Sequence, residues 1–139
     1  MVTFNPYLHL KGNAKEALEF YKGAFGGEIT ANTFKESGVP VATEEENWLM
    51  HGQLKTENMT IMVADSPSSH GPYNVPTGIS MSLSGFSEDE AVLKGYWAKL
   101  SEGGKVDQPL VAAPWGDEFG MLTDKFGIAW MVNIAVNKA

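Results

Sequence analysis

The side chains of this 139-residue chain with the clearest chemistry to offer are Tyr7, His9, His51 and Gln53. A strand turns its side chains to alternate faces, so Tyr7 and His9 in NPYLHLKG share one face while Leu8 and Leu10 share the other. In MHGQLK, His51, Gln53 and Lys55 share a face and Leu54 lies opposite. Two imidazoles and an amide at one cavity could ligate a metal, act as acid and base, or hydrogen-bond a ligand. Each histidine also fits a satisfied polar position on a partly buried surface. His70, in SPSSHGPYNVP, reads as an exposed loop residue.

Flat surfaces come next. Trp48, Trp115, Trp130, Phe119 and Tyr73 could stack on a planar ligand. Core packing is the competing reading, and it suits Trp130, set between Ala129 and Met131 in an apolar run. Trp115, in APWGDE, reads as a rim residue. Met62, Met81 and Met131, facing inward, would make a soft, adaptable pocket floor. Asp124, before Phe126-Gly127, is expected to cap backbone donors, and Glu44-Glu45-Glu46 to be a solvated loop.

Composition removes several function classes. There is no cysteine, so thiolate catalysis and sulfur-ligated metals are excluded. There is no arginine either, and the ten lysines are scattered against seventeen acidic residues, for a net charge of −7. That balance opposes nucleic acid or an anionic membrane as partner. The N-terminus lacks the basic and apolar regions of a signal peptide, and no apolar run reaches the roughly 18–20 residues of a membrane span. A cytoplasmic protein is the expectation.

These residues must be positioned by elements that occur twice. PYLHLKGN runs into AKEALEFYKGAFGGEI, and GISMSLSGF runs into SEDEAVLKGYWAKLSEGGKV, each helix-like stretch ending in two glycines. NMTIMVAD and GIAWMVNI then match, with Met62 falling on Met131. A period of about seventy residues indicates a tandem module and not a solenoid. Strands are expected at 3–10, 28–35, 48–56 and 59–65, a helix at 13–25 capped by Asn13 with Glu16, and a loop at 36–47. The second half repeats the plan: a strand at 79–86, a helix at 87–102 capped by Ser87, and strands at 106–112, 118–124 and 128–136. That helix is expected to bury Ala91, Val92, Tyr96 or Trp97, and Leu100. Two βαβββ modules, about 1–66 and 78–139, joined by the turn-rich 65–78, make one α+β domain over 1–139. Paired sheets of this kind would enclose a shared cup-shaped surface.

PYLHLKGNAKEALEFYKGAFGG, MHGQL, MVADS and WGDEFGMLTDKFGIAWMV together cover most of the chain. In these stretches it resembles the vicinal oxygen chelate superfamily of glyoxalases, bleomycin-resistance proteins and dioxygenases. Within it, the chain is similar to the PhnB-like group, often labelled after a demethylubiquinone methyltransferase. The resemblance implies a glyoxalase-like fold with a ligand site in the cup. In metal-dependent members each half supplies two ligands, and those positions fall here on Tyr7, Met62, Ser80 and Met131. None of the four suits a hard or borderline divalent ion, so no metal or other cofactor is expected. The methyltransferase label would need an adenosylmethionine site, and no glycine-rich strand-to-helix motif is present.

The leading expectation is a metal-independent small-molecule binding protein whose ligand, planar or aromatic, meets Tyr7, His9, His51, Gln53, Met62, Trp115 and Met131. The alternative is a lyase, isomerase or dioxygenase-type enzyme that recruits His9 and His51 for a metal or for acid–base chemistry. A homodimer is expected, because members of this size usually pair and open sheets leave edges to cover.

Overall fold

The computed structural model describes residues 1–136. The chain divides into two compact units, Met1–Val75 and Pro76–Ala139. In the first, β1 (Tyr7–Leu10), α1 (Ala14–Phe25), β2 (Glu28–Thr33), a one-turn α2 (Phe34–Ser37), β3 (Leu49–Lys55) and β4 (Thr60–Asp65) follow in order. In the second come β5 (Met81–Phe86), α3 (Glu90–Ser101), β6 (Lys105–Ala112), β7 (Glu118–Thr123) and β8 (Ala129–Ala135). The sheet orders are β1-β4-β3-β2 and β5-β8-β7-β6. In each sheet the first pair is parallel and the others antiparallel. This is the expected α+β pair of βαβββ units.

Each sheet buries the face that meets its helix. Ala14, Ala17, Leu18 and Tyr21 recur at helical spacing on α1 and are fully buried, against Leu8, Leu10, Leu54, Ile61 and Val63 from the strands. Burying one such side chain stabilises the fold by about 1.5–3 kcal/mol. Close approach is secured by a glycine on the helix-facing side of β3. A Cβ at Gly52 would stand 2.7 Å from a Leu18 methyl. Gly120 of β7 is the counterpart, where a Cβ would meet the Trp97 ring at 2.7 Å.

Three expectations about the helices are corrected. Asn13 makes no side-chain cap on α1. The buried carboxylate of Asp65 instead accepts Gly12 N–H at 2.7 Å and Ala14 N–H at 3.0 Å, and its other oxygen accepts Leu49 N–H at 3.0 Å. In the second unit, Ser87–Asp89 form a 3-10 turn before α3, and Ser87 does not cap the helix. Leu93 and Leu100 are the buried residues of α3, whereas Val92 is exposed and so is Ala91. Tyr96 and Trp97 pack with Leu93 against Val132 and Ile134. Positions 93, 96, 97 and 100 form one helical face, which the 91–92 reading misses by about one residue's rotation.

The segment 36–47 is more ordered than a solvated loop. Thr33 caps α2 through a reciprocal pair with Glu36, Thr33 Oγ1 accepting Glu36 N–H at 3.1 Å and Glu36 Oε1 accepting Thr33 N–H at 2.8 Å. Glu45, expected in solvent, is buried and accepts Ser68 N–H at 3.1 Å and the Ser68 hydroxyl at 3.1 Å.

Candidate functional site

In the first sheet, Tyr7 lies opposite Met62, Met62 opposite Gln53, and Gln53 opposite Thr30. That row crosses the face turned away from α1. One step along it, His9 stands on β1 and His51 on β3 opposite Asn32. The structure therefore brings Tyr7, His9, His51, Gln53 and Met62 onto one face of the first unit.

Tyr7 is the hub. Its hydroxyl and His51 Nδ1 share a 2.7 Å hydrogen bond. Its ring stacks on His9 with centroids 5.2 Å apart and planes 15° apart, and meets the His51 ring at 5.4 Å. Burial raises the Tyr7 pKa above the ordinary value, because the phenolate is the form that loses most on desolvation. At neutral pH the phenol is thus protonated and can either donate to or accept from the imidazole. Tyr73 was expected as a stacking surface. Its hydroxyl donates instead to the His9 carbonyl at 2.7 Å, fastening the segment after β4 to the sheet edge.

The Tyr73 pKa is also raised, first by burial and then by the negative charge of Asp65. Both phenols are neutral in the fold below about pH 10 and resist ionising above it. Their contribution to stability is present below the unfolded-state value and is lost as pH rises through the folded one. Tyrosinate absorbance of the native protein should show late-titrating components to which Tyr7 and Tyr73 contribute. Tyr7→Phe and Tyr73→Phe should each delete one late component. A single transition at the ordinary value in the native protein would refute the burial argument.

In the second unit the equivalent row is Ser82, Met131, Met121 and Gln108. The Met62–Met131 equivalence agrees with the repeat. The counterpart of Tyr7 is Ser82, which lies opposite Met131, and not Ser80. Ser80 precedes β5, with its hydroxyl 3.7 Å from the Met131 sulfur. Met81 lies opposite Trp130, one position off the Met131 row, so it faces α3 and is no part of a floor with Met62 and Met131.

Trp115 is 62% exposed at the tip of the β6–β7 connection, edge-on to Phe119 at 5.5 Å. With Pro109, Val111, Pro114 and Gln108 they line an open concavity of about 310 Å³. Trp130 is core: it is buried, and its indole N–H donates to Asp124 Oδ2 at 2.9 Å. Trp48 packs over Gly12. His70 is exposed on the 3-10 turn 68–70. The direct contact of Tyr7 with His51, forty-four positions apart, is not given by residue spacing; only the order β1-β4-β3 brings the two side chains within hydrogen-bond distance.

The family model described as the glyoxalase/bleomycin resistance protein/dioxygenase superfamily matches residues 4–132. The chain belongs to this superfamily. Protein PA1353 from Pseudomonas aeruginosa is 34% identical, with a TM-score of 0.86 over 99% of this chain and 100% of that one. The PhnB protein from Bacillus cereus is 26% identical, with a TM-score of 0.78 over 96% and 100%. YjdN of Escherichia coli is 27% identical over 96% of this chain and 95% of its own length. The PhnB-like resemblance and the glyoxalase-like fold both hold.

The metal that some superfamily members carry can be tested against the donors here. The four register positions supply a protonated phenol, two thioethers and a hydroxyl, at Tyr7, Met62, Met131 and Ser82. Divalent ions of the zinc, nickel or manganese kind require imidazole or carboxylate. Among the described residues, no three histidine, aspartate or glutamate side chains gather at a point. These residues do not fit such an ion. No described helix is long and apolar enough to cross a membrane.

Proposed function

We propose that this protein binds small planar molecules without a metal, that Tyr7, His9, His51, Gln53 and Met62 form the ligand site of the first unit, and that Trp115 and Met131 are ligand-binding residues of the second. The observation that supports this most is the Tyr7–His51 hydrogen bond on a sheet face carrying a second, stacked imidazole. A side-chain pair held at 2.7 Å presents fixed donors and acceptors, and a partly exposed aromatic surface accepts a ring. The soft Met62 and Met131 side chains suit a permissive apolar contact.

The same hydrogen bond supports a second reading, an enzyme in which His51 and Tyr7 exchange a proton with substrate. It needs no metal and no residue beyond the pair. A thermal-shift screen against planar compounds and divalent metals discriminates the readings from their failure. Ring compounds should stabilise the protein, His51→Ala should weaken the best of them by about tenfold, equal to about 1.4 kcal/mol, and elemental analysis should find no stoichiometric metal. One tightly held metal per chain, lost in His51→Ala, would overturn the metal-free reading. Turnover of a bound compound that stops in Tyr7→Phe would promote the enzyme.

The protein is further proposed to act in the cytoplasm as a homodimer, its two units folded as one domain. β1, β2, β5 and β6 lie at sheet edges, and edges with few charges favour an isologous contact. Light scattering should return twice the 15.1 kDa chain mass at micromolar concentration; the monomer mass would exclude the dimer.

A further inference from the structure

We infer that the ligand of the first unit's sheet face is an uncharged aromatic ring bearing a hydroxyl or carbonyl group, and that the face selects against anions. This rests on the binding reading above and adds the ligand's charge and hydrogen-bonding class.

The argument begins with what the face contains. Alternation and register place Tyr7 and His9, Thr30 and Asn32, His51 and Gln53, and Met62 on it. The fixed charges among its strand residues are Glu28 and Lys55, which lie opposite each other at one end of β2 and β3 and offset each other. The two buried carboxylates of this unit, Asp65 and Glu45, are held by backbone and hydroxyl donors away from the face. The chain has no arginine and a net charge of −7. A carboxylate or phosphate settling at the centre of this face would give up its water with no lysine or arginine beside it, which is a costly way to bury an anion.

The hydrogen-bonding groups point the same way. Because the phenol and His51 Nδ1 are engaged with each other, what the pair leaves for a ligand is the opposite ring nitrogen, Nε2, and the remaining hydrogen-bonding capacity of the phenol oxygen. The Gln53 amide adds an acceptor oxygen and an NH2 donor. A hydroxyl or carbonyl on a ring matches this set, and the ring itself finds the Tyr7–His9 stack.

Three isosteric probes test this at neutral pH by titration calorimetry: naphthol, naphthoate and naphthylmethylammonium. Naphthol should bind at least about tenfold more tightly than naphthoate, with an affinity that barely changes when salt is raised about tenfold, since no charge pair is there to be screened. Tyr7→Phe, which keeps the ring, and His51→Gln, which keeps a polar side chain of similar reach, should each weaken naphthol severalfold. Naphthoate or the ammonium probe binding as tightly as naphthol would overturn the inference while leaving the binding reading in place. Naphthol binding that ignores both variants but falls in Trp115→Ala would also overturn it, by placing the ring on the second unit. Failure of all three probes to bind would remove both.

Discussion

Asp65→Ala should destabilise the protein by about 4 kcal/mol and lower its melting temperature by about 12 °C. Asp65 is 3% exposed and joins three segments: the turn before α1 through Gly12, the first turn of α1 through Ala14, and the start of β3 through Leu49. Removing the carboxylate leaves three backbone N–H groups short of a partner, at about 1–3 kcal/mol for each one that stays dry. It also removes an anion from the positive end of the α1 dipole. At roughly 3 °C per kcal/mol for a chain of this size, the shift is easily read. Asp65→Asn should cost about half as much. One amide oxygen can still accept from Gly12 and Ala14, while the amide nitrogen turns a donor toward Leu49 N–H. Hydrogen exchange should place the loss in β1, β4 and the start of α1. An Asp65→Ala melting temperature within about 2 °C of the parent would mean that water or Asn13 replaces the carboxylate.

The second unit has a buried carboxylate of its own, and Asp124→Ala should cost about 3–4 kcal/mol. Asp124 Oδ1 accepts Phe126 N–H at 2.8 Å and Ile128 N–H at 3.1 Å, which forms the turn into β8. Oδ2 accepts the Trp130 indole N–H at 2.9 Å. The alanine variant orphans two backbone donors and a buried indole. Trp130→Phe separates the contributions: it removes one hydrogen bond and part of a buried ring, so about 1.5–2.5 kcal/mol should be lost while the turn persists. Denaturant unfolding followed by tryptophan fluorescence reads both. If Trp130→Phe proves as damaging as Asp124→Ala, the turn donors contribute little and the account of the turn is wrong.

The two carboxylates differ in how far sequence reveals them. Asp124 bonds to residues two and four positions on, and an aspartate before Phe-Gly is a local turn device, so its capping role is legible from spacing. Asp65 bonds across fifty-one and fifty-three residues to the α1 turn, where Asn13 stands as a plausible local cap. Local capping rules therefore select Asn13, and only the parallel pairing of β1 with β4 delivers Asp65 to the helix start. Glu45 repeats the lesson, since its partner Ser68 lies twenty-three residues away. A run of three glutamates carries no sign that the middle one is buried.

What the sequence by itself determined is the periodic content of the chain. The duplicated plan, the α+β class, the strand and helix positions to within a few residues, and the Met62–Met131 equivalence all follow from patterns of period two or 3.6 and from glycine stops. So does the sharing of one face by Tyr7 and His9, and by His51 and Gln53. Tertiary structure decided whatever depends on offset between segments. A parallel pair has no hairpin to fix its register, so Ser82, not Ser80, stands across from Met131. The face of α3 was settled by where Gly120 and Val132 admit Trp97 and Leu93. The Tyr7–His51 hydrogen bond was decided by the strand order that sets β1 two places from β3. Periodicity is written residue by residue along the chain, whereas offset is set by which packed arrangement buries the most apolar surface and satisfies the most backbone donors.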